Sequence, residues 1–117
     1  MGHAPVLVVD DDPAVCELVR AVLEDAGFDV YAAANGREAL DVLQTRSPLP
    51  GLILLDLAMP VMTGEEMLRA LRAVHALATI PVAVVTGSDA AKPPDATSLL
   101  RKPIDVDALL RVVRQNC

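Results

Sequence analysis

Polar side chains follow four apolar stretches of this 117-residue chain, and their types suit metal and phosphate chemistry. Asp10 and Asp11 follow the first stretch, whereas Asp56, Thr86 and Lys102 each follow a later one. Carboxylates gathered at one point resist simultaneous ionisation, and a divalent cation relieves that repulsion. Hard cations such as Mg²⁺ take carboxylate ligands, keep several waters and are commonly completed by phosphate oxygens. If the fold brings these residues together, the sequence predicts a site for a metal ion and a phosphoryl group.

The chemistry predicted for such a site is the transfer of a phosphoryl group to Asp56. A carboxylate can act as the nucleophile and form an acyl phosphate when the charge on the transferring oxygens is neutralised. The metal ion and the Lys102 ammonium would supply that neutralisation. The Thr86 hydroxyl would hydrogen-bond a phosphoryl oxygen, which is a contact available only in the modified protein. A contact made in one state alone is what a conformational switch requires.

Each of these polar residues also has an ordinary structural interpretation. Asp12 is expected to cap a helix, Thr86 could open a turn, and Lys102 could be a solvated surface charge. His3 and His75 are expected at the surface rather than on a metal ion. Only the combination of polar groups at the ends of several strands favours function over these alternatives.

The elements that must position these side chains alternate between strands and helices. Apolar and β-branched runs predict strands at residues 6–9, 29–33, 52–55, 82–85 and 98–101. Capping residues and helical spacing predict helices from Pro13 to Gly27, after Asn35, after Thr63 and through Val106 to Val113. This alternation implies a doubly wound α/β domain with a five-stranded parallel sheet in the flavodoxin-like order 2-1-3-4-5. Ligands bind such sheets beyond the carboxyl ends of the strands.

Composition narrows the class of protein. The apolar fraction of 53%, the charged fraction of 22% and the net charge of −6 favour a folded domain and disfavour direct nucleic-acid binding. No apolar run approaches the roughly 20 residues that span a bilayer, which predicts a cytoplasmic protein with no membrane segment. Cys16 and Cys117 lie outside metal-ligand spacings and are expected to be free thiols.

Residues 5–116 resemble a response-regulator receiver domain of bacterial two-component signalling. The motifs that carry the resemblance are Val8-Val9-Asp10-Asp11 with Asp12-Pro13, Asp56-Leu57-Ala58-Met59-Pro60 with Gly64, Val85-Thr86, and Lys102-Pro103. The resemblance implies that residues 1–117 form one receiver domain. It also implies that a sensor histidine kinase or phosphotransfer protein donates the phosphoryl group and that an unidentified downstream protein responds.

The same resemblance implies a role for each residue of the metal site. By it, Asp56 is the phosphoacceptor, Asp11 binds Mg²⁺ or Mn²⁺ directly, and Asp10 acts on the ion mainly through water. Ala58 would offer its backbone carbonyl to the metal. Such a domain is a switch rather than an enzyme, although it assists its own phosphoryl transfer and dephosphorylation.

Four further expectations concern the remaining contacts, the backbone and the output of such a domain. By the resemblance, Thr86 and Lys102 contact the phosphoryl group, and the bond from Lys102 to Pro103 is cis. Only fifteen residues, 87–101, separate Thr86 from Lys102, and Pro93-Pro94 restricts the backbone there. The helix between the fourth and fifth strands is therefore predicted to be shortened or missing. Leu99 occupies a position where the family commonly carries an aromatic residue that reports phosphorylation, so the output mechanism is expected to differ.

Other functions fit the residues less well. A phosphorylation-independent interaction module is the main alternative, and the short segment before the fifth strand favours it. An aspartate-nucleophile phosphatase needs a second acid two residues after its nucleophile, where this chain has Ala58. A flavin phosphate loop needs hydroxyls and glycines after the first strand, where this chain has aspartates.

Overall fold

The computed structural model describes residues 4–57, 64–74, 77–87, 92–93 and 96–117. Strands and helices alternate along them in the order β1 Val6–Val9, α1 Pro13–Asp25, β2 Val30–Ala33, α2 Gly36–Thr45, β3 Leu52–Asp56, α3 Gly64–Ala73, β4 Val82–Thr86, β5 Ser98–Arg101 and α4 Val106–Asn116. The five strands form one sheet in the order β2-β1-β3-β4-β5, and every neighbouring pair is parallel. The predicted fold class and strand order are therefore confirmed.

Helices cover both faces of the sheet, which explains why its central strands are apolar without alternation. Every residue of β1, β3 and β4 is buried. Side chains of α1 and α4 pack with one set of strand residues, which includes Val6 and Val8. Side chains of α2 and α3 pack with the other set, which includes Leu7 and Val9. The sheet is therefore a layer buried between two pairs of helices, and the polar side chains lie at the carboxyl ends of its strands.

Local capping fixes where the helices around the site begin and end. The Asp12 carboxylate accepts a hydrogen bond from the Ala14 amide at 2.9 Å, and Asn35 caps α2 through the Glu38 amide, also at 2.9 Å. Gly27 has a φ of 95° after α1, a left-handed conformation that glycine adopts without strain. These predicted caps and the predicted terminator are confirmed, while Thr63 lies outside the described residues.

The short connection between β4 and β5 also follows the prediction. No helix occupies the described positions between these strands, which are residues 87, 92–93 and 96–97. The amide and the hydroxyl of Thr97 both donate to the Val82 carbonyl, at 2.8 and 3.1 Å. The connection is thus tied to the start of β4. Leu99 is partly buried against the core layer beneath α2 and α3.

Two expectations from composition concern the whole chain. Cys16 and Cys117 are free cysteines, as predicted. Among the described residues, no helix has the length and apolar character needed to cross a membrane.

Candidate functional site

Four adjacent strands deliver the predicted polar residues to one edge of the sheet. Asp10 follows β1, Asp56 and Thr86 are the last residues of β3 and β4, and Lys102 follows β5. Asp10, Asp56 and Thr86 are buried, with 3%, 5% and 6% of their surface exposed. The strands β3 and β4 each run one residue further than predicted, so Asp56 and Thr86 are fixed by the sheet itself.

The Lys102 ammonium connects two of the buried carboxylates. Its Nζ atom lies 3.1 Å from Oδ2 of Asp10 and 3.6 Å from Oδ2 of Asp56. The other carboxylate oxygen of Asp10 accepts a hydrogen bond from the Asp12 amide at 2.9 Å. Both oxygens of Asp10 therefore have partners within the protein, and the cation partly offsets the repulsion between Asp10 and Asp56.

Three carboxylates have the spacing of a metal site. One oxygen from each of Asp10, Asp11 and Asp56 lies within 4.8 Å of the others. Asp11 is exposed whereas the other two are buried, so an ion would be held at the surface of the domain. An all-oxygen set with solvent access suits Mg²⁺ or Mn²⁺, which retain several waters. The residues present therefore fit the predicted ion.

Asp12 has a different role from its two neighbours. Its carboxylate caps α1, and it is not part of the group of carboxylates that could share an ion. Its amide instead orients Asp10. The three consecutive aspartates therefore have different surroundings. Asp10 is buried and pairs with Lys102, Asp11 is an exposed candidate ligand, and Asp12 caps α1.

The charge state of Lys102 follows from its surroundings. Partial burial lowers the pKa of Lys102, but the hydrogen bond to Asp10 and the charges of Asp10 and Asp56 raise the pKa by more. The net result is a pKa above the ordinary value for lysine. Lys102 is therefore a fixed positive charge at neutral pH, placed beside the carboxylate of Asp56.

Sequence reasoning missed two contacts that hold the site in place. The Cys16 thiol, one turn into α1, donates to the Asp10 carbonyl at 3.4 Å, and burial followed by the charge of Asp10 raises the pKa of this thiol. The Lys102 amide donates to the Thr86 carbonyl at 2.9 Å. Helical spacing could have placed Cys16 near the start of α1, but no sequence signal indicated either bond.

Of the remaining predictions for the site, one is confirmed and the others fall on residues outside the described part of the chain. The peptide bond from Lys102 to Pro103 is cis, as predicted, and a second cis bond joins Ser47 to Pro48. Ala58 lies outside the described residues, so its carbonyl ligand stays a prediction. His3 and His75 lie outside them as well.

The chain as a whole has counterparts among known proteins. Residues 6–114 match the sequence profile of the response regulator receiver domain. The chain belongs to this family. Receiver domains act as signalling switches that bind Mg²⁺ at an aspartate cluster and interact with histidine kinases or phosphotransfer proteins.

Individual receiver proteins resemble the chain over most of its length. Response regulator Rre1 of Synechocystis is 38% identical over 92% of the chain, which spans only 49% of that protein. Protein PilH of Pseudomonas aeruginosa is 33% identical, and the match covers 94% of each protein. The structure of the chemotaxis response regulator CheY4 of Vibrio cholerae superposes with a TM-score of 0.86 at 34% identity, covering 97% of this chain and 98% of that one. Receiver domains thus occur both within longer regulators and as proteins of about this length.

Proposed function

We propose that this receiver domain is a phosphorylation-dependent switch in which Asp56 accepts the phosphoryl group. The observation that carries the proposal is the position of the Asp56 carboxylate. It is buried at the end of β3. One of its oxygens lies within 4.8 Å of an oxygen of Asp10 and of Asp11, a spacing that suits a shared metal ion. The Lys102 Nζ atom lies 3.6 Å from its Oδ2. A carboxylate so placed is oriented for attack on phosphorus and has positive charge close to the oxygens that it would receive.

The divalent cation is Mg²⁺ or Mn²⁺ in this proposal. Carboxylate oxygens of Asp10, Asp11 and Asp56 would hold it, with the Ala58 carbonyl as a further ligand. When bound, the ion neutralises charge on the phosphoryl oxygens during transfer. Asp10 is already held by Lys102 and by the Asp12 amide, so Asp11 is the aspartate of this pair that is freer to coordinate directly.

Lys102 and Thr86 are the residues whose contacts would differ between the phosphorylated and the unmodified protein. The Lys102 ammonium lies between two carboxylates, and an added phosphoryl group gives it a more highly charged acceptor beside Asp56. Thr86 ends β4, which is hydrogen-bonded to β3 with Asp56 opposite Val85. Its hydroxyl would donate to a phosphoryl oxygen and so couple the modification to the connection after β4.

Residues 1–117 act as one receiver unit in this account, in the cytoplasm. The donor is a sensor histidine kinase or a phosphotransfer protein, and the phosphorylated form binds a downstream protein differently from the unmodified form. The domain remains a switch, with any enzymatic contribution confined to its own phosphorylation and dephosphorylation.

One observation favours a second candidate function, a receiver-like module that binds its partner without being phosphorylated. The connection between β4 and β5 has no helix in its described part. Intact mass after incubation with a small phosphodonor separates the two functions. A switch gains one phosphoryl group with Mg²⁺ present and none with a chelator, whereas an unmodified mass under both conditions would favour the second function.

A further inference from the structure

A small cavity lies beneath the aspartate site, between the sheet and the helices α1 and α4. Its volume is about 10 Å³, and Asp10 and Asp56 are among the residues that line it, together with Val8 and Leu54. Each aspartate comes two residues after one of these apolar residues, so all four side chains lie on one face of the sheet. The cavity therefore continues the aspartate site toward the core.

Apart from the two aspartates, the described residues that line this cavity are apolar. Those on the side of the helices are Val15, Val19, Ile104 and Leu109. Val19 and Leu109 are each only 1% exposed, so they separate the cavity from solvent. Lys102, which is partly exposed, contacts both carboxylates but is not among the described residues that line the cavity. The cavity thus lies on the inner side of Asp10 and Asp56.

The size and the polar groups of the cavity match a single water molecule. A cavity needs roughly 10–15 Å³ to hold one water, and that water needs at least two polar partners. A carboxylate offers about four lone-pair sites. The oxygens of Asp10 accept from the Asp12 amide and face the Lys102 ammonium, which leaves this carboxylate able to accept a further hydrogen bond. Ionised carboxylates only accept hydrogen bonds, and a water molecule has two O–H groups to donate.

We propose that this cavity is a binding site for one water molecule, which donates one hydrogen bond to Asp10 and one to Asp56. Both carboxylates are buried, with 3% and 5% of their surface exposed, and a buried charge is costly unless it is hydrogen-bonded. Hydrogen bonds to an ionised acceptor are also stronger than those between neutral groups. These two effects favour a bound water over a dry cavity, although most of the wall is apolar.

Such a water would position the two carboxylates from the side opposite to Lys102. The ammonium connects Asp10 and Asp56 from the solvent side, and the water would connect them from the core side. Asp56 would then be oriented on both sides before any metal ion or phosphoryl group binds. The water site goes beyond the proposed phosphorylation and does not depend on it, because it requires only the two buried carboxylates and the cavity.

A crystal structure of the full chain, grown in chelator at a resolution that shows ordered waters, tests the site directly. The proposal predicts a density peak in the cavity with about 2.5–3.0 Å between its oxygen and a carboxylate oxygen of each aspartate. Chelator ensures that the peak is not a ligand of a bound metal ion. A cavity without a peak, or a peak that contacts fewer than two carboxylates, would overturn the proposal.

Filling the cavity with a methyl group is a second, independent test with a matched control. Val19→Ile adds a methyl group beside the cavity, whereas Val113→Ile adds one elsewhere in the same core layer, and the two valines are 1% and 0% exposed.

The sign of the difference between these two variants distinguishes a bound water from a dry cavity. If the added methyl group displaces a water, two hydrogen bonds to buried carboxylates are lost, and the melting temperature of Val19→Ile should be about 5 °C below that of Val113→Ile. Filling a dry cavity is instead stabilising. A melting temperature of Val19→Ile equal to or above that of the control would therefore overturn the proposal.

Discussion

The Lys102 Nζ atom lies 3.1 Å from Oδ2 of Asp10, a contact that connects the end of β5 to the end of β1. These two strands are not neighbours, because β3 and β4 lie between them. The contact therefore joins the carboxyl ends of β1 and β5 across the two strands between them. Asp56 lies between the two strand ends and is already flanked by a carboxylate and an ammonium before any phosphoryl group arrives.

Removing the charge of Lys102 should destabilise the metal-free protein. In Lys102→Met two buried carboxylates lose their cation, and we expect a loss of about 1–3 kcal/mol, less than for a fully buried pair because the lysine is partly exposed. Saturating Mg²⁺ should recover part of this loss by replacing the missing charge. Urea unfolding in chelator and in Mg²⁺ measures both effects. Arg37→Met, on the exposed side of α2, is the control, and a variant as stable as the wild type in chelator would contradict the prediction.

The contribution of Lys102 should also disappear at high pH. Its pKa in the folded protein is raised above the ordinary value, so its stabilising effect is complete below the unfolded-state pKa of about 10.4. It is lost as the pH rises through the higher folded-state pKa. The difference in unfolding free energy between the wild type and Lys102→Met should therefore be constant near neutral pH and shrink in strong alkali. Titration of the cysteine thiols affects both proteins alike, so a difference that grows with pH would contradict this sign.

Asp11 should matter more than Asp12 for metal binding. Asp11→Asn removes a charged oxygen from the exposed side of the cluster, and we expect Mg²⁺ affinity to fall by about tenfold or more. Asp12→Asn is the matched control, since asparagine is also a good helix cap and should preserve the bond to the Ala14 amide. The increase in melting temperature with added Mg²⁺ reports affinity in both variants. Equal losses at the two positions would show that the assignment of ligand and cap is wrong.

Phosphorylation should act mainly on residues 87–97. These residues connect Thr86 to β5, and Leu99 cannot take the place of a rotating aromatic side chain. Addition of a phosphoryl mimic such as beryllofluoride should therefore increase hydrogen-exchange protection across this connection, because the Thr86 hydroxyl gains an acceptor. Omitting Mg²⁺ is the control. Unchanged exchange there, with changes confined to α1 or α4, would rule out this route to output.

The strands and the helix caps could be predicted because each depends on residues that are close together in the sequence. Continuous apolar runs identified the strands, and Asp12 and Asn35 were identified as caps because capping involves residues only two or three positions apart. The placement of Asp56 and Thr86 at one edge followed from the parallel sheet. The lysine contact with Asp10 could not be predicted from spacing, since it depends on how β1 and β5 are arranged across the sheet. The hydrogen bond from the Cys16 thiol to the Asp10 carbonyl could not be predicted either, because a cysteine on a helix gives no indication of the group that it contacts.

The identity of the phosphoacceptor is tested by the intact mass of Asp56→Asn after incubation with a small phosphodonor and Mg²⁺. Asparagine preserves the size of the side chain but cannot form an acyl phosphate, so this variant should show no mass gain. The wild type and Asp12→Asn should each gain one phosphoryl group under the same conditions, and chelator should prevent the gain in both. Labelling of Asp56→Asn to the same extent as the wild type would contradict the assignment of Asp56 as the phosphoacceptor.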